Sequence, residues 1–204
     1  MEFYFAIWLF ALSTTITPGP NNIMIMASGV NFGVKQSIPH LLGVCFGFPP
    51  MIIVLGLGFN TILSTYPIIH EAVKVIGVLY LFYLAWLIAK SSPSSLDKTI
   101  AKPITFIKAA LFQWLNPKAW VMAIGAISVY TSASSNFLMQ ILYIALVFLI
   151  AAFPCQCIWL LFGTKLKKYL KSDKHLQIFN KSMAALLVVS ILPVLSSLVS
   201  VTTT

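Results

Sequence analysis

Two short stretches of this chain combine helix-breaking residues with groups that can bind a small ion. Thr17-Pro18-Gly19-Pro20-Asn21-Asn22 lies inside one apolar segment, and Asn116-Pro117-Lys118 lies inside another. A proline in a helix interior removes a hydrogen bond and clashes with the carbonyl four residues back, at ~3 kcal/mol. In hydrocarbon each freed backbone group is costly again unless something satisfies it. Asparagine is a strong N-cap and proline suits the first helical position, so Asn116-Pro117 predicts a new half-helix starting inside its segment. Thr17-Pro18 offers the same pairing, with Gly19-Pro20 as the other place for the start. A half-helix N-terminus carries roughly +0.5 charge and free N–H groups, a combination that binds anions. Lys118 adds a full positive charge where no acid stands nearby in the chain. A lysine at membrane depth marks a functional site.

The half-helices that end at these breaks expose carbonyls, which suit an ammonium group. Thr17, Asn21, Asn22 and Gln113 add hydrogen-bonding side chains, and Trp114 adds an aromatic face for a cation. A zwitterionic amino acid matches both halves of this chemistry. The expected binding residues are therefore Thr17, Pro18, Gly19, Pro20, Asn21, Asn22, Gln113, Asn116, Pro117 and Lys118. Plainer roles stand beside these: Lys118 snorkelling to an interface, Asn21 and Asn22 capping the half-helix, Trp114 packing between helices. His40 and His70 are expected at span ends, at the interface.

Such breaks must be held by long apolar elements, and the composition supplies them. Of 204 residues, 59% are apolar and 8% charged. Soluble domains carry about 25% charged residues. The pattern is that of an all-α integral membrane protein, a single transmembrane domain over residues 1–204. Six segments are long enough to span: about 3–28, 40–63, 68–89, 107–130, 137–163 and 179–201. The first lacks a basic leader and reads as a retained helix, not a cleaved signal. The net charge of +9 is all lysine. Lys35, then Lys90, Lys98, Lys102 and Lys108, then Lys165, Lys167, Lys168, Lys171, Lys174 and Lys181 fall on one side of this topology. The positive-inside rule makes that side cytoplasmic and puts both termini outside. The run from Lys165 to Lys174 is a topology signal or a patch for anionic lipid. Basic and aromatic residues do not gather on one polar face, so nucleic acid is not an expected partner. The expected partners are the bilayer and a small molecule.

The second half echoes the first. Thr17-Pro18-Gly19 in the first span corresponds to Asn116-Pro117-Lys118 in the fourth, and Phe48-Pro49-Pro50 in the second to Phe153-Pro154-Cys155 in the fifth. Three spans per half force opposite orientations, giving an inverted repeat of residues about 1–90 and 105–204 around a cytoplasmic linker at 91–104. Broken segments at matching positions of inverted halves point to a secondary transporter's site. Gly43-x-x-x-Gly47 suits close helix packing, either within a subunit or in a homo-oligomer. No nucleotide motif, catalytic triad or metal-ligand cluster is present, so no enzyme, catalytic residue, metal or cofactor is expected. Cys45, Cys155 and Cys157 all lie in apolar segments. They read as small buried groups or, on a second reading, as a thiol–disulfide electron carrier. A passive channel is a third reading.

Thr17-Pro18-Gly19-Pro20-Asn21, Gly33, the glycine-rich second span, the Tyr-Leu-rich third and Asn116-Pro117-Lys118 in the fourth together resemble the LysE/RhtB superfamily of bacterial amino-acid exporters. The resemblance covers essentially the whole chain. Within it, Pro20-Asn21-Asn22-Ile23, Gln36-Ser37, Gly47-Phe48 and Leu84-Ala85-Trp86 look like the cysteine/O-acetylserine efflux branch. The resemblance implies an inner-membrane carrier moving small amino acids outward in exchange for protons. Many members have an acidic residue after the second glycine of span two, where this chain has Phe48. That departure sets it apart from the basic-amino-acid exporters.

Overall fold

The computed structural model describes residues 2–59, 67–90, 103–131, 136–170 and 172–189. These form seven α-helices, with no strand among them: α1 (Glu2–Ile16), α2 (Pro20–Val54), α3 (Pro67–Lys90), α4 (Phe106–Phe112), α5 (Pro117–Tyr130), α6 (Phe137–Leu166) and α7 (Asp173–Val189). The first expected span is thus α1, a break, and the start of α2. The fourth is α4, a one-turn 3-10 segment at Gln113–Leu115, and α5.

Helix α2 is two arms, not one rod. Gly33 has φ 76° and ψ 179°, outside helical geometry. Glycine reaches positive φ without a Cβ clash. Ser28 and His40 lie twelve positions apart, about 18 Å along a straight helix. Yet Ser28 Oγ and His40 Nδ1 share a hydrogen bond of 2.9 Å. The chain therefore folds back at Gly33, and residues 20–32 pack beside residues 34–54. His40 is fully buried in this hairpin, seven residues after the turn.

Two helices extend beyond the spans expected for them. The second arm starts at 34, ahead of the span expected from about 40, and regular helix stops at Val54, followed by a wider turn over Leu55–Phe59; the expected end near 63 lies outside the described residues. Helix α7 starts at Asp173, not 179. Ser172 Oγ accepts a bond from the His175 N–H at 3.2 Å, an N-cap that hydropathy does not register. The linker at 91–102 and residues 190–204 lie outside the described residues.

Lipid is as apolar as a leucine side chain, so helices in a bilayer are held by close packing and polar contacts. Small residues do this here. Ala11 of α1, Ala119 and Ala123 of α5 and Ala145 of α6 are buried with Phe48, Met51 and Phe148 in one cluster. Gly43 and Gly47 of the second arm meet α4, where a Cβ on Gly47 would stand 2.5 Å from Ala110 Cα. The glycine stripe is thus used inside the subunit. The exposed side chains of Phe5, Leu79, Ile107, Leu111 and Val121 give an apolar exterior. Pro20–Gly58 and Phe137–Leu166 are long and apolar enough to cross a membrane. Helix α6 packs along α2 and α1, and α3 packs along α7; Gly19 of the first break and Asn116 of the second are buried, while Thr17 and Pro18 are exposed.

Candidate functional site

The first break occupies Thr17, Pro18 and Gly19. Gly19 is fully extended, and Pro20 takes the first position of α2, so the new half-helix starts at Gly19-Pro20. The last turn of α1 leaves its carbonyls without helical partners. Distant side chains cover them. Asn22 Nδ2 donates to the carbonyls of Thr15 at 2.9 Å, Thr17 at 2.7 Å and Ile16 at 3.4 Å. Trp159 Nε1, on α6, donates to the Ile16 carbonyl at 3.0 Å. Asn22 therefore caps the end of α1, not the start of α2. Gly19 has no side chain to cap α2, so the first N–H groups of that helix carry no side-chain acceptor.

The second break closes on itself. Asn116 Oδ1 accepts from the Lys118 N–H at 3.1 Å, and the Asn116 carbonyl accepts from the Ala119 N–H at 2.9 Å. Pro117 has no N–H to satisfy. The 3-10 turn brings the Asn116 N–H onto the Gln113 carbonyl at 3.3 Å. What this break delivers is Lys118. Its ammonium reaches the first break and donates to Thr17 O at 2.7 Å, Thr17 Oγ1 at 2.8 Å and Pro18 O at 3.4 Å. An ammonium has three donors, and all three are engaged. A second bridge joins the breaks: Asn21 Nδ2 donates to Gln113 Oε1 at 2.9 Å, and Gln113 Nε2 returns a longer bond of 3.3 Å to Asn21 Oδ1. Gln113 Nε2 also donates to the Ala109 carbonyl at 2.9 Å, which fixes which end of the amide faces Asn21.

Between the breaks lies a cavity with about 430 Å³ of empty space, its open mouth included. Six of the ten residues expected from the sequence line it: Gly19, Asn21, Asn22, Gln113, Asn116 and Lys118. Lys118 is the one charged residue among them. Thr17, Pro18, Pro20 and Pro117 do not line it; they shape the breaks and hold Lys118. Trp114 packs edge-on against Trp120, with ring centroids 6.3 Å apart, and its carbonyl accepts from Trp120 Nε1 at 2.8 Å. That is a packing role. Sequence reasoning missed Thr14 and Thr15 of α1, Phe48 of the second arm, Met122 of α5 and Gln156 of α6. Gln156 had a readable signal: a neutral amide in the middle of a thirty-residue apolar helix. The three cysteines are free thiols, and none lines the cavity.

Paired broken helices around a cavity with polar side chains in a partly apolar wall suit a small-molecule translocator, and the model of the family described as LysE type translocator matches residues 12–194. The chain belongs to the LysE family. That makes it a multi-pass membrane protein of a transporter family. Among LysE-family relatives, it is 32% identical over 160 residues to the cysteine/O-acetylserine efflux protein of Escherichia coli strain K12, covering 78% of this chain and 80% of the relative. Proteins of the same description from Salmonella typhi and Shigella flexneri serotype 5b match with the same identity and coverage. No solved structure matches this LysE-family chain.

Proposed function

We propose that this chain exports small neutral amino acids or their derivatives, of the cysteine and O-acetylserine kind, across the bacterial inner membrane in exchange for protons. The observation that carries this is the cavity between the two breaks, with Lys118 as its one charged lining residue. The names of the relatives supply the substrate class. A carboxylate would sit at the uncapped start of α2, near Asn21 and Asn22, with Lys118 beside it. Lys118 already bonds to neutral carbonyls, but its charge is not cancelled by them, and its field still acts on an anion. Gln113 and Asn116 complete the wall. Thr17, Pro18, Pro20 and Pro117 hold the backbone that presents these groups.

The inverted repeat belongs to this reading. Helix α1 packs on α6, while α4, its counterpart, packs on the second arm of α2, the counterpart of α6. Helices α3 and α7, the third elements of each half, pack on each other. Exchanging the halves leaves this pattern of neighbours unchanged, as a pseudo-two-fold axis requires. With the lysine-rich connections on the cytoplasmic side, both termini face outward.

The test is efflux from proteoliposomes loaded with labelled cysteine, O-acetylserine, threonine, leucine or lysine. Cysteine and O-acetylserine should leave faster than from protein-free vesicles, and faster still when protons are more concentrated outside. If no compound leaves faster than from protein-free vesicles, with or without the pH gradient, the proposal is wrong. Acceleration without any response to the gradient would remove proton exchange alone.

A further inference from the structure

Two oxygens on cavity-lining residues have no partner. Gln156 Oε1 and Thr15 Oγ1 are both buried and make no hydrogen bond. Their residues are 2% and 9% exposed, and both line the cavity. A buried polar atom left unpaired is costly, and native structures seldom tolerate it without cause.

The direction of Gln156 is set by its neighbours. Asn22 Nδ2 is committed to the carbonyls that end α1, so Asn22 Oδ1 faces the other way as an acceptor. Gln156 Nε2 donates to that oxygen at 2.9 Å. The amide therefore cannot flip without losing this bond, and its carbonyl oxygen is the end left over. Thr15 stands out in the same way. Ser13 and Thr14 both donate to the Phe10 carbonyl, and Thr17 donates to the Thr14 carbonyl. Thr15, in the same turns of α1, makes no such back-bond. One acceptor that cannot donate and one free hydroxyl ask for a ligand rich in N–H donors.

We propose that Gln156 Oε1 and the Thr15 hydroxyl receive the ammonium group of the substrate. This rests on the amino-acid reading above and gives it a direction. The break carbonyls, which also suit an ammonium, are taken by Lys118 and Asn22, so the amino group goes to the α1–α6 wall. The carboxylate goes to the start of α2. Asn22 belongs to both subsites: its backbone opens α2 and its side chain orients Gln156.

The experiment compares binding of cysteine with 3-mercaptopropionate, the same molecule without its amino group, to the purified full-length chain in detergent. Wild type should prefer cysteine by ~10-fold or more, the range of hydrogen bonds to a charged group. Thr15→Val, which keeps shape and removes the hydroxyl, and Gln156→Leu should each pull that ratio toward one. Affinity for 3-mercaptopropionate should stay within about twofold of wild type, well under the tenfold that 1.4 kcal/mol represents. Gln156→Leu also releases Asn22, so Thr15→Val decides if the leucine variant does not fold. An undiminished ratio in Thr15→Val, and in Gln156→Leu where it folds, overturns the subsite and leaves these oxygens to an ordered water. Binding of neither compound by wild type instead sinks the amino-acid reading, and the subsite with it.

Discussion

The two helix breaks solve one problem in opposite ways. The second is local: a 3-10 turn and the Asn116 cap satisfy its backbone within a few residues. The first is open: its carbonyls are covered by Asn22, Trp159 and Lys118, the last two from more than a hundred residues along the chain or close to it. A closed break can be read from its own sequence and makes a rigid platform, here for Lys118. An open break depends on the rest of the fold and leaves the next helix uncapped beside the cavity. That asymmetry leaves the first break dependent on the rest of the fold and the second on its own residues.

Removing the cover of the open break is the harshest way to test this. Asn22→Ala frees the Thr15 carbonyl and strips a partner from those of Ile16 and Thr17, and it unpairs Gln156 Nε2. It should lower thermal stability in detergent by about 3 kcal/mol or more, at 1–3 kcal/mol per unsatisfied buried group. Lys118→Met should come next, cutting efflux of cysteine by ~10-fold or more while the protein still inserts in the membrane, since charge-assisted bonds are worth ~1.5–3 kcal/mol. Undiminished efflux in that variant would take lysine out of the site. Asn116→Ala, the matching change in the closed break, should cost only about 1 kcal/mol, the value of an N-cap. If the melting shifts of the Asn22 and Asn116 variants are equal, the contrast between the breaks is gone. The smallest effect belongs to Cys45, Cys155 and Cys157, none of which touches the cavity. Serine at all three should leave efflux within about twofold, and an abolished activity would revive the thiol-carrier reading.

The breaks and their prolines were legible because proline and glycine in an apolar run have a backbone cost that sequence displays directly. Asn116-Pro117 was legible for the same reason: cap and first turn are neighbours in sequence. The helices of the third, fourth and fifth spans fall close to their expected limits. What could not be read was where side chains reach. Asn22 looked like a cap for the helix it begins, and it caps the helix before. Lys118 looked free for an anion, and its donors go to Thr17 and Pro18. Gln156 carried only the signal of one amide in an apolar run, because its partner Asn22 lies 134 residues away in the chain. The burial of His40 against Ser28 was not legible because hydropathy does not show that one glycine turns the chain back on itself. Helix α7 began early because Ser172 caps it, and hydropathy sees only where polar residues give way to apolar ones.

That turning glycine has a consequence in handedness. Nothing lies within 4 Å of the place where a Cβ on Gly33 would point. Space is therefore not what excludes other residues; the sign of φ is. An L-alanine there would be strained by roughly 1–3 kcal/mol, whereas its mirror image, D-alanine, has positive φ as its natural preference and an open volume to fill. The hairpin that buries His40 beside Ser28 thus depends on the one position in α2 that takes a positive φ, where L-handedness would be a liability.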